Sequence, residues 1–308
     1  MRGGKEYSPR TCASVQYVQK VQYLDPLDTS EYLSDKETNF VQQVYGTFLY
    51  YAIAIDNNIL PTLSNISSDQ SKATTNTSKQ VAKLLKYLAS NPQAEIQYRA
   101  SGVQLAIHSD ASYLSVAQDR SRSSGVHFIS KDPPDPENPE DFVPTINGIL
   151  LVMCKIMRNI MASAAEAKYG IIFVNAQTAV PIHTNLSEMG CKQGPTTIQV
   201  ENSIAVGIAT KEFRQKKSKA MDMRFYWIND RIKQGKFRVF WIPVPENLGD
   251  YHSKHHPPEH HIAVRSKYLH VPNLRSLQGC VNLTVRVDPT KRESQRAKLE
   301  RYFLEFVS

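Results

Sequence analysis

The chain has no apolar run approaching the roughly 18–20 residues of a membrane-spanning helix. Its opening, M-R-G-G-K-E-Y-S-P-R, carries no apolar segment of the exporting kind. Cysteine is scarce: Cys12, Cys154, Cys191 and Cys280 lie far apart with no C-x-x-C pair, which argues against a disulfide scaffold and against a zinc ribbon. A cytoplasmic or nuclear protein, neither secreted nor membrane-bound, is the expectation. The Asn-x-Ser/Thr triplets at Asn65, Asn76, Asn185 and Asn282 are then incidental.

What is present is enough apolar material for a core. At 308 residues and 41% hydrophobic, the chain holds one large domain or a medium domain with a subdomain. Its 37 Lys+Arg against 29 Asp+Glu give a net charge of +8. From Lys211 to Arg238 ten basic residues face three acids. That segment reads either as a phosphate-backbone surface or as a solvated helix face, and charge alone does not choose.

Residues 1–30 show no sustained period and read as a flexible lead-in. Ser34 followed by Glu37 spells a capping box, and Phe40, Val41, Val44, Tyr45, Phe48, Leu49, Ala52 and Ile53 recur at helical spacing, so a helix over about 35–55 is expected. A short helix broken near Pro61 and the run V-A-K-L-L-K-Y-L complete a helical unit, 31–95. From Ile96 the period changes to that of strands, first in I-Q-Y-R and V-Q-L-A-I-H-S-D, then near Gly125–Ser130. The segment 131–145, with five prolines and five acids, is an exposed loop. Next come the strand G-I-L-L-V-M-C-K, a helix over about 158–176, a short helix after Pro181, the strand T-T-I-Q-V, and a helix over 203–209. A basic helix over 219–233, the strand F-R-V-F-W-I-P-V and a final helix opened by Asp250 follow. Hairpin strands followed by alternating helix and strand describe an α/β fold, a mixed sheet flanked by helices.

Four carboxylates fall at the edges of these elements: Asp110, Glu166, Glu201 and Asp250. Acids gathered in one pocket repel one another, and divalent cations relieve that cost, which points to an oxygen-ligand metal site. As isolated residues, each reads equally as a solvated or N-capping carboxylate.

The order of elements and acids resembles the ribonuclease H fold. The words H-S-D-A-S-Y-L, S-R-S-S-G-V-H-F, M-C-K-I-M-R-N-I-M-A-S-A-A-E-A-K-Y-G, V-E-N-S-I-A-V-G, K-K-S-K-A-M-D-M-R-F-Y-W and N-L-G-D-Y-H-S-K-H-H resemble the ribonuclease H region of copia-type LTR retrotransposon Pol polyproteins. The preceding S-D-K-E-T-N-F-V-Q-Q-V-Y-G-T-F-L-Y-Y-A is similar to the thumb or connection segment of the same polyproteins. The resemblance runs from about Tyr32 to about Leu269. It implies a five-stranded ribonuclease H-like domain over 96–262 after the helical segment, with a C-terminal extension over 263–308. It also implies two-metal hydrolysis of RNA in RNA–DNA hybrids with Mg²⁺, or Mn²⁺ in its place, at about 3.5–4 Å separation. Asp110 would bridge the ions, Glu166 and Glu201 would hold one, and Asp250 the other. Arg122, Lys216, Lys217, Lys219, Arg224 and Lys254 would contact the nucleic acid. No Y-x-D-D polymerase signature occurs, so any polymerase would be a separate subunit, and the chain reads as the remnant of a pol gene's 3′ end.

The chain departs from that pattern. Glu201 stands where Asp is usual, Lys168 where an acid is common, Gly249 where Ala is usual, and His252 where an aromatic is expected. One extra methylene moves a ligand oxygen by about 1.5 Å, a misplacement on the scale that costs about 10²-fold in rate. A catalytically inactive nucleic-acid-binding remnant is therefore the alternative function. His252, His255, His256, His260 and His261 cluster, but Pro257 and Pro258 break the helix between them and no cysteine is near, which favours a basic segment over a zinc site. Tyr226 and Trp227, amid Arg224 and Arg231, read as rings that stack on nucleic acid or as core, and the apolar stripe of Phe225, Ile228 and Ile232 favours core for Trp227. His108, Ser109 and Asp110 do not form a hydrolase relay, because neighbours on a strand point to opposite faces.

Overall fold

The computed structural model describes residues 28–116, 120–130, 143–158, 160–161, 163–210, 222–254 and 256–270, with the backbone alone at 222 and 223. The expectations for the lead-in before residue 28, for the Pro-rich stretch 131–142, for Lys216, Lys217, Lys219 and His255, and for the segment after 270 lie outside these residues. Described residues up to His270 belong to one compact unit.

Local capping fixes where the first helices start. Ser34 accepts from the Glu37 amide while the Glu37 carboxylate accepts from the Ser34 amide, and helix α1 runs Asp35–Ala54 with Val41, Val44, Phe48 and Ala52 buried. Helix α2, Leu60–Asp69, follows a 3₁₀ turn at Asn57–Ile59. Pro61 lies in its first turn, so it opens the helix instead of breaking it, because an N–H there has no intrahelical partner to lose. Thr74 and Thr77 form a second capping box that starts helix α3, Thr75–Ser90.

Five strands follow: β1 Gln104–Val116, β2 Arg120–Ser130, β3 Ile146–Ile156, β4 Thr196–Val200 and β5 Phe237–Trp241. Their order is β3-β2-β1-β4-β5, with the first three antiparallel and β1–β4 and β4–β5 parallel. Parallel neighbours need crossover connections. Helix α4, Ala164–Glu188, joins β3 to β4, and helices α5, Ser203–Ala209, and α6, Asp222–Lys233, join β4 to β5. Helices α7, Gly249–Ser253, and α8, Pro258–Tyr268, close the unit. This mixed five-stranded sheet flanked by helices is a ribonuclease H-like fold.

The main core lies between the sheet and α4. Tyr169, Ile172, Ala176 and Ala179 pack against Leu105, Ile107, Ile198, Val200, Ile228, Phe237 and Val239. Each large apolar side chain so buried contributes about 1.5–3 kcal/mol. The helical segment docks on the sheet through polar groups. Arg122 donates to the carbonyl of Pro61 at 3.2 Å and to Asn65 Oδ1, Tyr251 Oη donates to the carbonyl of Asn58, and His252 Nε2 donates to that of Asn57.

Three expectations change. Residues 96–99 form no strand; Tyr98 Oη instead donates to the carbonyl of Ile149 and the Arg99 amide to Asn147 Oδ1, side-chain bonds that give no ladder. Helix α4 starts at Ala164, not near Arg158, and passes through Pro181. Asp250 lies in a helix of five residues, and α8, which spans position 262, is separate from it. Among the described residues no helix is long and apolar enough to cross a membrane.

Candidate carboxylate site

The sheet register brings the first two acids together. Parallel pairing of β1 and β4 ends at Ser109 and Val200, so Asp110, which lies midway along β1 and not at its end, and Glu201, the residue after β4, come next where the two part. The third acid, Asp250, lies in the first turn of α7, which the preceding loop positions. Asn247 Nδ2 donates to the carbonyl of Ser109 at 3.1 Å, and the Leu248 amide donates to His108 Nδ1 at 2.9 Å, which fixes that loop on β1. Burial holds His108 down to about 4, so its ring stays neutral and its Nδ1 stays an acceptor. Gly249 makes the close approach feasible: a Cβ there would lie 3.0 Å from the Asp110 amide nitrogen.

Among the described residues, Asp110, Glu201 and Asp250 form a group whose ligand oxygens lie within 4.8 Å of one another and could hold a metal ion. Two ammonium groups already sit on it. Lys168 Nζ donates to Asp110 Oδ1 at 3.1 Å and to Glu201 Oε1. Lys254 Nζ donates to Asp250 Oδ1 and lies 3.5 Å from Glu201 Oε1 and 3.9 Å from Asp110 Oδ2. Ser253 Oγ donates to Asp110 Oδ2, and His256 Nε2 lies 3.7 Å from Asp250 Oδ2.

The acids respond unequally. Burial pushes the Asp110 carboxyl up, but Lys168, Lys254 and the Ser253 hydroxyl outweigh it and hold the group below its usual range. Burial and the Asp110 charge push Glu201 up despite its bond to Lys168, and the same two causes raise Asp250 against the pull of Lys254. Burial pulls the Lys168 ammonium down, and Asp110 and Glu201 more than offset it, so this lysine stays protonated.

Glu166 does not join the group. It occupies the first turn of α4, where Ser163 Oγ accepts from its amide at 3.1 Å and a negative charge suits the helix N-terminus. Lys168, two residues on, faces β1 instead, on the same side as Ile172 and Asn175, whose Nδ2 donates to Ser109 Oγ. The sequence marks Lys168 as a departure, but its role as a partner of two acids appears only when the phase of α4 is known.

The expected nucleic-acid contacts scatter. Arg122 is buried, 1% exposed, and serves as a tie between β2 and α2, which corrects its placement on a binding surface. Arg224 lies over the Phe173 ring, and Lys254 belongs to the carboxylate group. The exposed Trp241, which sequence reading passed over, stands at the rim and donates from Nε1 to the carbonyl of Glu201 at 2.9 Å. Trp227 packs against the core as expected. The described histidines pair locally: His261 Nδ1 lies 2.7 Å from Tyr251 Oη, and His256 stacks on His260.

No family model matches the chain. Among solved structures, it is similar to the N-terminal RNase H domain of a Mycobacterium tuberculosis protein, solved as a fusion with maltose-binding protein. The two share 12% identity with a TM-score of 0.31 over 47% of this chain and 86% of that one. LC11-RNase H1, isolated from compost by a metagenomic approach, gives 11%, 0.34, 48% and 91% in the same order. That protein in complex with an RNA/DNA hybrid gives 11%, 0.33, 47% and 88%.

The donor set does not fit two divalent ions. Three carboxylates supply it, the fourth expected acid stands outside it, and two ammonium groups hold the oxygens an ion would need. Only Glu201 Oε2 is a buried carboxylate oxygen of the group with no hydrogen-bond partner.

Proposed function

We propose that this chain is a ribonuclease H-like domain from a copia-type retrotransposon Pol polyprotein, and that it binds nucleic acid, RNA–DNA hybrid foremost, without two-metal hydrolysis. The observation that carries this reading is Lys168. Its ammonium lies against Asp110 and Glu201, the residues from which a two-metal nuclease of this fold would hold ions. The net charge of +8 and the basic run from Lys211 to Arg238 favour a polyanionic partner. Trp241, half exposed beside the carboxylates, offers a ring on which a base stacks. The six sequence motifs support the retrotransposon origin, and the helical segment corresponds to the connection region of such polyproteins.

A second reading, hydrolysis with Mg²⁺ or Mn²⁺, is favoured by the proximity of the three acids and the unpaired Glu201 Oε2. A labelled RNA–DNA hybrid incubated with the chain in Mg²⁺ separates the two. The expected result is a gel shift that weakens steeply with salt and leaves the RNA intact. Metal-dependent cutting that disappears in Asp110→Asn would establish the second reading and sink the first.

A further inference from the structure

We propose that Lys168 and Lys254 are the resident counter-cations of the carboxylate group, and that Lys168 is the one that keeps divalent metal out. The inference rests on the geometry of that group and not on the binding of nucleic acid.

Three carboxylates whose oxygens lie within 4.8 Å of one another stay ionised together only if cations lie among them. The two lysines leave a formal charge of −1 on the five groups (three carboxylates, two ammonium groups). Lys168 uses two of its three donors on Asp110 Oδ1 and Glu201 Oε1, so an incoming ion must take the oxygens that the ammonium already holds. The two lysines are not equivalent. The Lys254 side chain is 38% exposed, follows the end of the five-residue α7, and is free to turn outward as an ion approaches. The Lys168 side chain is 16% exposed and rises from the α4 backbone, one residue from the fully buried Ala167 and Tyr169. It cannot withdraw without leaving Asp110 and Glu201 facing each other. A tethered ammonium also pays no entropy of association with its site, whereas an ion from solution does.

Removing this one ammonium therefore turns the group into a divalent-cation site. The test is Mn²⁺ uptake, followed by loss of the free-ion paramagnetic resonance signal, for the full chain and for Lys168→Glu and Lys168→Met. The natural chain is expected to take up no Mn²⁺ saturably, and its melting temperature to be the same in Mn²⁺ as in NaCl of equal ionic strength. Lys168→Glu is expected to bind about one equivalent and to melt about 5 °C higher at saturating Mn²⁺. Lys168→Met, which removes charge at similar length, is expected to bind more weakly. Saturable uptake by the natural chain that disappears in Asp110→Asn would overturn the proposal, even if both Lys168 variants failed to fold. So would folded Lys168→Glu and Lys168→Met proteins that bind no ion. A chain that excludes Mn²⁺ yet fails to shift the RNA–DNA hybrid would leave this inference standing and remove the functional reading above.

Discussion

Asp110 accepts from a lysine and a serine in a setting 1% exposed, so an amide in its place weakens both bonds and turns an NH₂ donor towards groups that are themselves donors. Asp110→Asn is expected to lower stability by about 1–3 kcal/mol, the penalty for leaving buried donors imperfectly paired, read as a fall in the urea midpoint. A second residue-scale constraint is Gly125 on β2, where a Cβ would sit 1.9 Å from Asn175 Oδ1. Asn175 Nδ2 bonds both Ser109 Oγ and the Ser124 carbonyl, so it has no room to retreat. Gly125→Ala is expected to cost about 2 kcal/mol or more through overpacking and lost hydrogen bonds, again measured in urea. At this scale Asp110, Glu201 and Asp250 were legible because acids set beside apolar strand residues or in a short polar helix have few structural uses, although Asp110 lies midway along β1 and not at its end. Glu166 was misplaced for a definite reason. Glu166 and Lys168 differ by about 200° around a helix, and only one faces β1. The surrounding A-S-A-A-E-A-K is too rich in alanine to mark which face is buried.

A helix start that spells out a capping box was legible, since the box satisfies its own amides and owes little to the rest of the fold, whereas the start of α4 was not. The beginning of α1 followed from Ser34 and Glu37 alone. Ser34→Ala is accordingly expected to cost about 1 kcal/mol, visible as a lower urea midpoint and faster amide exchange in the first turn of α1. The reading of Ile96–Arg99 as a strand failed because alternation reports only exposure on two faces. A strand also needs a partner in register, and here side chains of residues 98 and 147 take up the neighbouring polar groups. Pro181 misled in the opposite direction. It removes one bond to the carbonyl of Gln177, but both residues are exposed, so water satisfies that carbonyl and α4 continues.

On the scale of the whole molecule, four histidines among the described residues are buried and uncharged: His108, His127, His252 and His261, each held down to about 4 by burial. In the unfolded chain each titrates near 6.5. Their folded values are depressed, so the stability they contribute is full above about pH 6.5 and is lost as pH falls towards 4, because the unfolded chain gains protons that the fold refuses. Each such shift corresponds to about 3 kcal/mol. Urea midpoints are expected to be flat from neutrality down to about pH 6.5 and to fall steeply below it, and His127→Gln is expected to make that fall shallower.

Arg122 sets a limit on how the chain can be divided. Its guanidinium is 1% exposed and bonds to Pro61 and Asn65, some sixty positions earlier in the chain. A fragment beginning at residue 96 keeps all five strands and all three clustered acids, yet it loses the partners of that cation together with the carbonyls that receive Tyr251 and His252. A chain trimmed to residues 96–270 is therefore expected to unfold at a lower urea midpoint than the full chain, although it keeps the whole sheet.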